Sequence, residues 1–96
     1  MLDSSGRIVI GKELLSRTHL SINQEIEIFF DNNKKKLLIL PKNESRYDDN
    51  LYYIRTHNLD EHGRIHIPKC IRRIFPKATY LPTEKDGEIC ILIIEH

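Results

Sequence analysis

The sequence predicts a mainly β fold with two short helices, in which one structural unit occurs twice within a single compact domain. The stretch from residue 2 to residue 12 returns at residues 59–69, with seven of eleven positions identical. Two copies of one supersecondary unit usually pack about an approximate twofold axis. A chain of 96 residues is long enough for one domain with its own core. We therefore expect a first copy at residues 1–41, a linker at residues 42–50 and a second copy at residues 51–96.

Each copy opens with the pattern Asp-x-x-Gly-Arg, which is typical of a hairpin turn. Gly6 and Gly63 would supply the positive φ that a tight turn needs, and the aspartate can hydrogen-bond its own backbone there. A strand follows in which isoleucines alternate with other residues, so the isoleucines share one face. The other face carries Arg7, Val9, Arg64 and His66. These arginines are therefore expected to point away from the core.

A short helix is predicted after the strand of the second copy. Pro68 stands where a first helical residue belongs, and Ile71 with Ile74 or Phe75 forms an apolar stripe at helical spacing. The helix ends before Pro76, because a residue that precedes proline is disfavoured in helical geometry. The exposed face of this helix would carry Lys69, Arg72 and Arg73.

The helix of the first copy would run from Lys12 to about Thr18, with Leu14 and Leu15 on its apolar side. Each copy then closes with a hairpin of two alternating strands. We expect strands at residues 25–30 and 36–40 in the first copy, and at residues 51–56, 79–83 and 89–94 in the second. The last of these is apolar enough to be buried on both faces.

Positive charge is concentrated in the second copy, although the formal net charge of the chain is only +1. A net charge this small argues against an indiscriminate polyanion binder. Residues 64–77 include no acidic residue, and their basic residues are Arg64, Lys69, Arg72, Arg73 and Lys77. Residues 7–20 of the first copy include one acid, Glu13, and their basic residues are Arg7, Lys12 and Arg17. Both copies therefore carry a basic patch, and the patch of the second copy has the larger positive charge.

The second copy closely resembles the DNA-binding domain of the AbrB/SpoVT type, a family that also includes MazE-like antitoxins. The resemblance is carried by Asp-Glu-His-Gly-Arg-Ile-His-Ile-Pro-Lys-Cys-Ile-Arg-Arg at residues 60–73. In the first copy, residues 24–31 and 36–40 look like the second hairpin of that family. Two chains of the family interleave their hairpins into a small β-barrel that presents arginines to DNA. The resemblance implies a duplicated AbrB-like swapped-hairpin β-barrel, which is an intrachain pseudo-dimer.

The resemblance also implies which residues contact DNA. Arg7 and Arg64 match the family's arginine after the turn glycine, and Arg72 with Arg73 matches its helix pair. The other basic residues of the two patches would hold the duplex beside them. The complete set of expected DNA-binding residues is Arg64, Arg72, Arg73, Lys69, Lys77, Arg7, Lys12 and Arg17.

The first copy departs from the family's pattern in three ways. It has Leu15-Ser16 in place of the arginine pair and Gly11 in place of the proline. It also begins at Met1, which leaves almost no room for the strand that should precede the turn. We therefore expect weaker DNA contact from the first copy. Its missing strand is either replaced by another segment or another subunit, or the barrel is incomplete.

The resulting expectation is a transcriptional regulator that binds double-stranded DNA as a homodimer of the pseudo-dimeric chain, in the cytoplasm and associated with the nucleoid. One alternative is an antitoxin-like autorepressor that also binds a toxin. This alternative is disfavoured because the chain ends in an apolar strand rather than in a polar tail. A second alternative is an oligomerisation module without DNA binding.

Other classes of function find no support in the sequence. No serine, cysteine or carboxylate has an evident base partner, and no glycine-rich phosphate-binding loop is present, so we expect neither an enzyme nor a cofactor. His62, His66 and Cys70 fall on a predicted turn, strand and helix start, which argues against a metal site. No apolar run is long enough to cross a membrane, and the N-terminus lacks the pattern of a signal peptide.

Overall fold

The computed structural model describes residues 2–42 and 50–96. Seven strands and two short helices lie within these residues, so the fold is mainly β, as the sequence predicts. In chain order the elements are β1 (Arg7–Val9), α1 (Lys12–Ser16), β2 (Glu25–Asp31), β3 (Lys36–Pro41), β4 (Leu51–Asn58), β5 (Arg64–His66), α2 (Lys69–Ile74), β6 (Thr79–Lys85) and β7 (Glu88–Ile94). Most of the linker predicted at residues 42–50 lies outside the described residues.

The strands form two antiparallel sheets. One is a five-stranded sheet in the order β4-β2-β3-β7-β6, and the other is a two-stranded ribbon of β1 and β5. Among the described residues neither sheet closes into a barrel, so the closed β-barrel expected from the sequence is wrong. The strands β1 and β5 have three residues each and pair with one another rather than with a strand of the larger sheet, so the two sheets stay separate.

The ribbon brings corresponding positions of the two copies together. Ile8 lies opposite Ile65, its counterpart in the repeat, and Arg7 and Val9 lie opposite residues of β5. Two further backbone bonds extend the pairing: the Ile10 N–H donates to the Gly63 carbonyl and the Ile67 N–H donates to the Gly6 carbonyl, both at 2.9 Å. The strand after each turn is thus tied to the turn of the other copy.

The hydrophobic core lies between the ribbon and one face of the five-stranded sheet. The four isoleucines of the ribbon segments are buried, as their alternation with exposed or half-buried residues predicts. The core-facing residues of the sheet are Ile26, Ile28, Phe30, Leu37, Ile39, Tyr80, Ile89, Ile91 and Ile93. At about 25 cal/mol per Å² of apolar surface removed from water, this cluster supplies most of the driving force for folding.

The opposite face of the five-stranded sheet carries a second, smaller apolar cluster. Leu38, Leu40 and Cys90 are buried there, with Phe29 and Leu51 packed against them. Along β7 the apolar character of this face continues to Ile94, which is 41% exposed. The expected burial of the last strand on both faces is therefore found at Cys90 but not at its end.

Both helices are shorter than the sequence suggests. The helix α1 ends at Ser16 rather than near Thr18, because Arg17 and Thr18 donate to carbonyls three residues back and so tighten the last turn. Pro68 precedes α2 with extended geometry instead of opening it. On α2 the apolar stripe is completed by Phe75, which is buried, whereas Ile74 is 61% exposed. None of the described helices is both long enough and apolar enough to cross a membrane.

The turn glycines allow a test of this packing. Gly63 has φ of +70°, and a Cβ at this position would lie 3.2 Å from Cδ1 of Leu15. We expect Gly63→Val to lower the free energy of unfolding by about 1–3 kcal/mol, because it adds backbone strain and crowding together. Chemical denaturation followed by circular dichroism would measure the change.

Gly87 provides the matched control. It has φ of +82°, but an added Cβ would meet nothing within 4 Å. Gly87→Val should therefore cost less than Gly63→Val, because it adds strain without crowding. Equal losses from the two variants would contradict the proposed packing of Leu15 on the turn.

Candidate nucleic-acid interface

The two Asp-x-x-Gly-Arg turns are held by the same hydrogen bonds. In the first turn Oδ1 of Asp3 accepts from the backbone N–H groups of Ser5 and Arg7, both at 2.9 Å. In the second turn Oδ1 of Asp60 accepts from His62 at 2.9 Å and from Arg64 at 2.8 Å. The turn glycine donates its N–H to the aspartate carbonyl at 3.0 Å in both. The repeated sequence therefore builds the same local structure twice.

The same carboxylates also hold the turn arginines. Nε of Arg7 lies 2.9 Å from Oδ2 of Asp3, and Nε of Arg64 lies 2.7 Å from Oδ2 of Asp60. Within residues 2–42 and 50–96, no hydrogen bond engages the Nη nitrogens of either arginine. Each guanidinium is thus fixed through one nitrogen while its two terminal nitrogens remain available as donors. A guanidinium presented in this way suits both phosphate and the acceptor edge of guanine.

These contacts lower the pKa of both aspartates. Hydrogen bonds from Arg7, first from its backbone N–H, bring the pKa of Asp3 below its ordinary value of 3.8. Burial alone would raise the pKa of Asp60, but the hydrogen bonds from Arg64 and His62 outweigh burial, so this pKa is also lowered. Both carboxylates are therefore ionised at neutral pH and neutralise part of the arginine charge.

Arg72 is less exposed than the sequence predicts. The sequence places it on the exposed face of α2, yet it is half-buried and packs across the turn of the first copy. A Cβ added at Gly6 would lie 2.6 Å from Cζ of Arg72, and Nε of Arg72 donates to the Ile67 carbonyl at 3.1 Å. The guanidinium can lie this deep because Gly6 has no side chain and because the Ile67 carbonyl accepts a hydrogen bond from Nε. The predicted exposed face of α2 is therefore found at Lys69 and Arg73, whereas Arg72 is half-buried.

The counterpart of Arg72 in the first copy is Leu15, and the two side chains occupy corresponding places. Leu15 is buried and approaches Gly63, just as Arg72 approaches Gly6. Each helix thus supports the turn of the other copy with the side chain at this position. An arginine does so in one copy and a leucine in the other.

The structure brings together three of the predicted basic residues on α2. Lys69 and Arg73 are exposed, and with Arg72 they line a shallow open depression. Lys77 does not line this depression; it lies at another, lined also by Glu95 and His96. The basic patch predicted at residues 64–77 is therefore not continuous, because Lys77 lies at a different depression from the three basic residues of α2.

The basic residues of α1 and of the residues after it differ in how far their charge is offset. Lys12 is the first residue of α1 and is exposed. Arg17 follows α1, and its Nη2 lies 3.1 Å from Oε1 of Glu13 in an exposed ion pair. Exposed pairs of this kind contribute little to stability, but the carboxylate does offset the charge of the arginine.

Sequence reasoning missed two basic residues on β4. Arg55 and His57 approach each other, with Nη2 of Arg55 3.5 Å from Nδ1 of His57. The ring of His57 meets the ring of His66 edge to face, with centroids 5.3 Å apart. The strands β4 and β5 belong to different sheets, so this contact arises from the packing of the ribbon on the larger sheet and has no local signal in the sequence.

No protein-family model, curated protein or solved structure matches this chain. Within the described residues no three histidine, cysteine or acidic side chains are grouped so that they could hold a metal ion.

The role of Arg72 in packing can be tested by replacing it with leucine, the residue at the corresponding position of the first copy. We expect Arg72→Leu to keep the free energy of unfolding within about 1 kcal/mol of the wild type, because leucine can pack on Gly6 as Leu15 packs on Gly63. Arg72→Ala should cost about 1–2 kcal/mol, because it removes both the packing and the bond to Ile67. Arg73→Ala is the control at an exposed position and should change stability little. An Arg72→Ala protein as stable as the wild type would contradict this role.

The ionised turn aspartates predict a dependence of stability on pH. Because their pKa values are lowered in the folded state, their contribution is complete above the unfolded value of 3.8 and is lost as pH falls through the folded values. The stability advantage of the wild type over Asp3→Asn/Asp60→Asn should therefore be full at neutral pH and shrink below pH 3.8. Urea titrations of both proteins across this range would measure it. A constant difference at all pH values is the opposing outcome.

Proposed function

We propose that this chain is a DNA-binding transcriptional regulator with a duplicated AbrB-like swapped-hairpin architecture. The motif resemblance supports this proposal, and so does the strand pairing. The strand β4, which leads into the second turn, pairs along its length with β2 of the first copy. The ribbon of β1 and β5 joins the copies again. A chain interleaved in this way corresponds to a dimer of single AbrB-like units written as one polypeptide.

The observation that carries the proposal is the pair of turns with identical hydrogen bonding and restrained arginines. Arg7 and Arg64 lie at corresponding positions of a ribbon in which Ile8 and Ile65 face each other, and each is held by the aspartate of its own turn. Duplex DNA presents its two backbones with a local twofold relation, and twofold proteins commonly bind it through equivalent elements. Holding each guanidinium in advance lowers the conformational entropy lost on binding.

Unequal contact by the two copies forms part of the proposal. In the second copy Lys69 and Arg73 add exposed charge beside Arg72, whereas the corresponding position to Arg73 is Ser16 in the first copy. We infer that the second copy binds DNA more strongly, with Lys77, Lys12 and Arg17 at the margin. Readout by shape fits this arrangement better than a strict base code, because arginine-bearing turns respond to groove width and deformability.

A homodimer of the chain is also proposed. The five-stranded sheet has β4 and β6 at its edges; within the described residues β4 is paired only with β2 and β6 only with β7, which leaves an open edge at β6. Beside this edge Leu81 and Ile94 are 45% and 41% exposed. Exposed apolar residues that are close together favour association of copies. The same observation favours the second candidate function, an oligomerisation module without DNA binding.

Binding to random duplex DNA tests the proposed function. We expect the wild type to bind with an affinity that falls as salt rises, since phosphate contacts release counterions. Arg7→Ala/Arg64→Ala should lower the affinity by about 2–4 kcal/mol and make the slope of log affinity against log salt shallower by about 2. Fluorescence anisotropy of a labelled duplex would give both quantities.

Arg17→Ala is the control for this experiment, because Arg17 is exposed and already paired with Glu13. It should weaken binding much less, and Arg72→Leu/Arg73→Ala should fall between the two. Circular dichroism must show all variants folded. Equal losses from the turn and control variants would refute the assignment of the turn arginines, and a wild type without salt-sensitive binding would leave the oligomerisation module as the better candidate.

The dimer is tested by mass. Light scattering at micromolar concentration should give about twice the chain mass of 11.4 kDa. Leu81→Lys/Ile94→Lys should shift the protein towards the monomer, because it places charge where apolar surface would be buried. Ile22→Lys is the control, since Ile22 is 47% exposed but lies in the loop before β2. A monomeric wild type would contradict the proposal.

A further inference from the structure

We propose that Arg7, Arg55, His57 and His66 form a second phosphate site, one that takes up a proton when the DNA backbone binds. This inference rests on the proposed function for the identity of its ligand. The four residues come from three strands that the fold brings together, and none of the last three belongs to the basic set expected from the motif.

Strand pairing and two side-chain contacts bring the four residues together. Arg7 on β1 lies opposite His66 on β5 in the ribbon. The ring of His66 meets that of His57 on β4 edge to face, at 5.3 Å between centroids and an interplanar angle of 88°. His57 in turn lies 3.5 Å from Arg55 through its Nδ1. The site therefore extends from the ribbon to the edge strand of the sheet.

The contact with Arg55 defines the protonation state of His57. A guanidinium can only donate, so Nδ1 of His57 must accept and the ring proton must lie on Nε2. Burial, together with the positive charges of Arg55 and His66, lowers the pKa of His57 below its ordinary value of 6.5, while Asp60 opposes the change. The free protein therefore holds a neutral imidazole among basic neighbours.

The surroundings include few charges that would oppose an anion here. Asp60 is held by Arg64 through both carboxylate oxygens, and Asp3 is held by Arg7. On β2 the residue opposite His57 is Ile26, which is buried. Its neighbours Glu25 and Glu27 point to the other face of the sheet, because successive residues of a strand alternate. The groups nearest to the imidazole of His57 are therefore mostly donors.

Binding of a phosphodiester would shift the protonation equilibrium of His57. Its negative charge favours the protonated imidazole, so His57 takes a proton from solvent at Nδ1 and Arg55 turns its donors from the ring to the phosphate oxygens. No covalent bond is made or broken. Because the bound state holds one proton more than the free state, affinity should rise as pH falls, by up to about tenfold per pH unit for one proton.

The first experiment measures the affinity for a random duplex by anisotropy at constant ionic strength, between about pH 5.5 and about pH 8.5. The wild type should bind more tightly at low pH, and His57→Gln should flatten this dependence. The control is His19→Gln, at an exposed residue of the loop after α1, and it should keep the wild-type slope. An affinity that does not depend on pH, or a slope that survives in His57→Gln, overturns the proposal.

The second experiment does not depend on DNA. Histidine resonances followed by NMR give the pKa of His57 in sulfate and in chloride at equal ionic strength, and sulfate keeps its charge across this range. Sulfate should raise this pKa in the wild type. Arg55→Gln should raise it already in chloride, because a repelling charge is lost, and should reduce the further effect of sulfate.

The two experiments separate the two proposals. If the wild type binds no DNA at any pH, the proposed function fails and the sulfate titration decides about the site alone. A rise in the pKa of His57 then upholds an anion site, and no rise overturns it. If DNA is bound with a pH dependence that His57→Gln removes, both proposals stand.

Discussion

The pairing of β1 with β5 is the constraint on which the rest of the structure depends. It places Ile8 against Ile65 in the core and ties each strand to the backbone of the other copy's turn. Neither turn could keep its position without the other half of the chain, because a three-residue strand has too few hydrogen bonds to be stable alone. The helices add to this dependence, since Leu15 and Arg72 each pack on the turn glycine of the opposite copy. Core and charged surface are therefore coupled: a change that separates the ribbon would also displace the arginines.

Within each turn a single aspartate has two tasks. One oxygen of Asp60 closes the turn by accepting backbone N–H groups, and the other holds Nε of Arg64. The same geometry at Asp3 follows from the same sequence spacing. The carboxylate reduces local charge, which weakens long-range attraction to a polyanion, but it also removes rotational freedom from the arginine before binding. In a chain with a net charge of only +1, the proposed binding of DNA would depend more on the restraint of a few side chains than on the overall electrostatic field.

The sequence predicted the parts of this structure that are governed by local chemistry. The positive φ of Gly6 and Gly63, the burial of alternate isoleucines and the closing hairpins all follow from neighbouring residues. It failed where the outcome depends on distant partners. Nothing near Arg72 indicates that Gly6 would leave space for its guanidinium, and nothing near β1 indicates that it would pair with β5 instead of closing a barrel. Arg55 and His57 were missed for the same reason, because the contact with His66 arises only when the ribbon packs on the larger sheet.

The exchange of arginine for leucine between corresponding positions shows how a duplicated unit can acquire unequal halves without losing its packing. Both positions lie over a glycine of the opposite turn, where a long side chain fits whatever its tip carries. Leucine fills the place by apolar burial, as its 7% exposure shows. Arginine fills it with its guanidinium, whose Cζ and Nη atoms lie over Gly6 while Nε donates to the Ile67 carbonyl. Arg72 also lines the depression beside Lys69 and Arg73. The second copy thus has a charged side chain at a position used for packing, and the first copy has an apolar one.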